Sequence, residues 1–65
     1  MNFQFISKNQ RWHLWYGNEK WLLSDEQEKV ITYHDSINDA INYLWLMGYR
    51  PEALELNAAR KEFIN

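Results

Sequence analysis

The chain has 65 residues, no cysteine and a formal net charge of −2; 25% of it is charged and 17% aromatic. One domain spanning residues 1–65 is the most this length allows, and it buries only about 60% of the surface its unfolded form exposes. Without cysteine there is no disulfide and no thiolate zinc site, and the acidic balance argues against a general phosphate-binding surface.

Two remedies for marginal stability remain: dense aromatic packing, or self-association as a homo-oligomer. The N-terminal MNFQFISKNQRW lacks a basic stretch followed by a long apolar one, so it does not read as a signal peptide. The longest purely apolar run, Leu44 to Met47, is far short of the roughly 20 residues that span a bilayer. The expectation is a cytoplasmic protein with no membrane partner.

In chain order, Phe3 and Phe5 alternate with Asn2, Gln4 and Ile6, as in an extended segment. Lys8-Asn9-Gln10 is polar and turn-like. Arg11 to Tyr16 alternates again, with Trp12, Leu14 and Tyr16 on one face and Arg11, His13 and Trp15 on the other. Gly17-Asn18-Glu19-Lys20 offers residues that tolerate left-handed backbone, so a hairpin is expected there. Trp21-Leu22-Leu23 reads as a strand and Ser24 to Glu28 as an acidic turn. Lys29 to His34 is β-branched and alternating, a credible last strand. The economical reading is an antiparallel meander of three to four strands over about 2–34.

The period changes at Asp35-Ser36. Ser36 suits a helix N-cap, and Asp39 three residues later resembles a capping box with Asp in place of Glu. Ile37, Ala40, Ile41, Leu44 and Trp45 recur at helical spacing, and Gly48 suits the residue beyond the helix end. A helix over about 36–47 is predicted, packed on one sheet face. Pro51, followed by Glu52 and Glu55, opens a second helix over about 51–63, frayed near Asn65, with Ala53, Leu56, Ala59, Arg60 and Phe63 on one face. Strands followed by helices make an α+β domain.

The first helix carries a second apolar stripe, Tyr43, Leu46 and Met47, which another element must bury. The short link between the helices favours the second helix as that cover. The other solution is a partner or another subunit.

No catalytic or cofactor signature is present. His13 and His34 with Glu19 or Asp35 would make half a metal site at best, and they read more simply as exposed strand histidines. Asp25, Glu26 and Glu28 read as a solvated turn, and no serine lies in a nucleophile-elbow context. So small a chain has little room for a pocket and its supporting groups, so no enzyme and no cofactor are expected.

The expectation is a small non-enzymatic protein-interaction module: an adaptor, inhibitor or regulator of a partner protein, of a kind suited to mobile elements. Trp and Arg dominate binding hot spots. Its contact residues would be Arg11, His13 and Trp15 on the outer sheet face, or Tyr43, Leu46 and Met47 on the helix. The alternative is a nucleic-acid-binding module that stacks bases on the sheet's aromatics. Over Arg11 to Leu44, strands followed by a helix, with an aromatic and basic second strand, resemble in pattern the arm-binding domains of phage integrases. That resemblance implies nucleic-acid recognition through the sheet; the chain departs from it in its acidic balance and its sparse Lys and Arg.

Overall fold

The computed structural model describes residues 3–64. Four strands, β1 (Phe5–Ile6), β2 (Trp12–Gly17), β3 (Lys20–Asp25) and β4 (Val30–His34), precede two helices, α1 (Ile37–Leu46) and α2 (Arg50–Ile64). The strands form one antiparallel sheet in the order β1-β2-β3-β4, an α+β meander followed by helices. The expected Asn2 start and Asn65 fraying lie outside the described residues.

Alternation along the strands assigns the two sheet faces. Phe5, Leu14 and Leu23 face the helices, and in β2 and β3 so do Trp12, Trp21 and Asp25. Buried Ala40 and Leu44 of α1 and Ala53 and Leu56 of α2 complete this core. Phe3 precedes the ladder; its ring meets Trp21 edge-on, at 6.1 Å between centroids, and tilts against Phe63 of α2 at 5.0 Å. Tyr16, expected in the core, lies at its margin: it faces the helix side and meets Trp21 edge-on, but stays exposed.

The β2–β3 hairpin closes as expected, by a different device. Gly17 pairs with Lys20, which leaves Asn18-Glu19 as a two-residue loop with φ of 54° and 63°. This is the left-handed pair of a type I′ turn, whose twist matches the strands. Gly17 itself needs no positive φ. A Cβ there would fit at ordinary contact distance, 3.7 Å from Leu22 Cδ1 and 3.8 Å from Trp15 Cδ1.

Ser36 caps α1 by accepting a hydrogen bond from the Asp39 amide (3.0 Å). Only half of the expected capping box forms, because the Asp39 carboxylate turns back to His34 Nδ1 at 2.8 Å. At the other end, Gly48 (φ 94°) donates to the Trp45 carbonyl and Tyr49 to the Leu44 carbonyl at 2.8 Å. That pair of bonds is a Schellman motif, and it reverses the chain into α2 with almost no linker. The β1–β2 turn is pinned on α2: the Lys8 amide donates to Glu55 Oε1 (2.8 Å) and Asn9 Nδ2 to Glu52 Oε2 (3.0 Å).

Candidate interaction surfaces

The sequence-derived contact residues do not share one surface. Arg11 leaves the outer face. Its long side chain reaches the helix-facing side, where Nε and Nη2 each hold one Asp25 carboxylate oxygen at 2.9 Å, and Nη2 also donates to Tyr49 Oη at 2.9 Å. The guanidinium lies over the rings of Tyr49 and Trp12, 4.6 and 5.3 Å from their centroids, and those two rings meet edge-on. Arg11 is thus a cation spent inside the molecule, held charged chiefly by its hydrogen bonds to Asp25.

The same contacts correct the acidic turn. Asp25 is buried, and besides Arg11 its Oδ1 accepts the amides of Gln27 (3.0 Å) and Glu28 (3.2 Å). Its carboxyl sits below the usual carboxylate range, mainly because of the Arg11 hydrogen bonds. Asp25 organises the β3–β4 turn, while Glu26 and Glu28 remain exposed. Beside this cluster a cleft of about 340 Å³ opens between the turn, the sheet and the end of α1, with Trp12, Thr32, Tyr43 and Tyr49 among its walls.

His34, expected to be exposed, is buried on the inner face. Its Nε2 meets Thr32 Oγ1 at 2.8 Å, Nδ1 meets Asp39, and its ring tilts against Tyr43 at 5.2 Å. His13 is half-buried on the opposite face, so the sheet separates the two imidazoles. Among the described residues no three His, Asp or Glu side chains come together to hold a metal, and no helix is long and apolar enough to cross a membrane.

The outer sheet face has two cross-strand rows. One runs Ile6, His13, Ser24, Ile31; the other runs Trp15, Leu22, Tyr33. Trp15 is half-buried, sheltered by its cross-strand neighbour Leu22 and by the space Gly17 leaves. Tyr33 is 66% exposed, Ile6 59% and Ile31 45%. Among the described residues the ion pair at this face is Lys20 with Asp35, at one end of the strands.

Ile6, Ile31 and Tyr33 are contact candidates that the sequence reading missed. The signal for Ile31 and Tyr33 was the alternation in VITYH, but they are its more apolar side, which patterning alone would turn inward. Instead Thr32 and His34 face the helix, where hydrogen bonds satisfy them.

On α1, Tyr43 is half-buried against His34, but Leu46 is 83% exposed and Met47 57%. The second helix therefore does not cover this stripe. It packs through Ala53 and Leu56 onto the core, and its first residue, Arg50, stacks on Trp45 at 4.8 Å. Comparison with known proteins finds no matching family model, no matching curated protein and no matching solved structure.

Proposed function

We propose that the chain is a small non-enzymatic protein-interaction module, an adaptor, inhibitor or regulator, that docks a protein partner on the outer face of its sheet. The observation that carries this reading is the surface formed by exposed Ile6, Ile31 and Tyr33 with half-buried Trp15, edged by Glu26 and by the Lys20–Asp35 pair. Contiguous apolar surface of this kind, with rings at its centre and polar residues at its rim, is what protein partners bury. His13 supplies a polar group within it.

The nucleic-acid alternative is the weaker reading, because phosphate recognition uses free cations beside the stacking rings and two cations near these rings are already paired. Arg11 is engaged with Asp25, and Lys20 with Asp35.

The test is crosslinking in the native lysate with the wild type, Trp15→Ala, Tyr33→Ala and, as a control remote from the face, Lys61→Ala. The two face variants should lose a partner that the control keeps. If both retain the wild-type set, the sheet face is not the docking surface. A parallel titration with single-stranded oligonucleotide should show no binding at low salt; salt-sensitive binding abolished by Tyr33→Ala would favour the alternative.

A further inference from the structure

The open edge of the sheet presents a second, distinct surface, and its occupant can be derived from the ladder. The Glu26 amide donates to the Arg11 carbonyl at 2.7 Å, so the neighbouring pair Trp12–Asp25 is a non-hydrogen-bonded one. The two kinds of pair alternate in antiparallel sheets. Trp21, Leu23 and Asp25 therefore turn their backbone groups toward His34, Thr32 and Val30 of β4. Ile31 and Tyr33 are left with amides and carbonyls aimed away from the sheet, and no described residue bonds to them.

Edge strands are normally blunted by charge, proline, a bulge or shortness. At the opposite edge β1 is only two residues long, but β4 is five residues of Val-Ile-Thr-Tyr-His with no charged side chain and no proline. The exposed α1 stripe lies on the same flank: Asp39 and Tyr43 contact His34 of β4, and Met47 lines the cleft with Val30 and Thr32. Edge and stripe form one uncovered surface.

We infer that this surface is completed by a second copy of the chain, with β4 pairing antiparallel to its two-fold mate and α1 packing on α1. A dyad through Thr32 lets Ile31 and Tyr33 of one copy exchange four hydrogen bonds with Tyr33 and Ile31 of the other. In this register Ile31 lies across from Tyr33, a favourable β-branched–aromatic pair, and no charged side chain of β4 is brought against its own copy.

The helices fit as well. α1 rides over β3 and β4. With strands about 4.8 Å apart, its axis sits about 5 Å from the dyad. The two α1 helices then run about 10 Å apart, the distance at which helices pack. Strand pairing alone is too small for a specific interface, and the exposed Leu46 and Met47 add apolar surface to it.

Light scattering and sedimentation from micromolar to millimolar concentration test this, together with concentration-dependent amide exchange. The mass should approach that of a dimer, and the Ile31 and Tyr33 amides should gain protection as it does. Ile31→Pro removes an amide the monomer's own ladder does not use, so it should keep the wild-type circular dichroism and weaken dimerisation at least about tenfold. Leu46→Asp should do the same from the helix side, whereas Trp15→Ala should dimerise normally even if it loses its partner protein. A wild type that stays monomeric at millimolar concentration overturns the inference. So does a dimer that survives Ile31→Pro, or one whose Ile31 and Tyr33 amides stay unprotected.

Discussion

Glu19 occupies a backbone conformation that its side chain opposes, and Glu19→Gly should stabilise the protein. Its φ of 63° is left-handed, in the second position of a type I′ loop where glycine is the preferred residue. A residue with a Cβ costs about 1–2 kcal/mol there. Glycine removes that cost but brings extra freedom to the unfolded chain, which returns about 0.5–1 kcal/mol. The net gain is about 0.5–1 kcal/mol. No hydrogen bond or ion pair among the described residues involves the Glu19 side chain, so nothing else is lost. In a domain of this size the gain raises Tm by about 2–8 °C. Asn18→Gly is the internal control: Asn tolerates φ of 54°, so its effect should be near zero. Urea and thermal unfolding followed by tryptophan fluorescence would measure both. A lower midpoint for Glu19→Gly, or a larger gain for Asn18→Gly, would refute the reasoning.

The two glycines should differ in how much an alanine costs. Gly48→Ala meets no neighbour but forces an alanine to φ 94°, and should cost about 1–2 kcal/mol; Gly17→Ala meets Leu22 and Trp15 only at ordinary contact distance, and its midpoint should shift by less than about 0.5 kcal/mol. Leu23→Ala, at a fully buried position, should cost about 2–5 kcal/mol and leave little native protein on a thermal scan. Leu46→Ala in dilute solution should stay within about 0.5 kcal/mol of wild type by the same scan. Asp25 governs an acid limb. Its carboxyl is depressed in the fold, so its contribution is complete above the unfolded value of about 3.9 and is lost as pH falls through the folded one. Stability against pH should therefore drop more steeply for wild type than for Asp25→Asn below pH of about 4, and parallel curves would contradict the Arg11 pairing.

Elements with strong local signals were legible before any coordinates. The helical spacing from Ile37, the Ser36 cap, Gly48 and Pro51 place both helices within a residue of their observed ends. Trp12 and Leu14 read correctly as inward from alternation alone. The surfaces were harder, because they depend on register and on long side chains. Nothing near Arg11 in sequence announces Asp25 or Tyr49, which are brought to it by the hairpin and the helix turn. Nor does VITYH reveal that Thr32 and His34 face inward, since partners from β3 and α1 make that polar side the buried one. The Leu46 and Met47 stripe was legible as surplus apolar surface; that α2 leaves it bare follows from tertiary packing.

The Arg11 pairing has a consequence for how the molecule opens. One guanidinium, from the residue before β2, joins the end of β3 and Tyr49 between the helices, 14 and 38 positions away along the chain. Neither the hairpin nor the helix pair can detach without breaking it. Sheet and helices are thereby coupled into one cooperative unit. Their slowest-exchanging amides should share a single opening free energy, and urea should move both with the same slope.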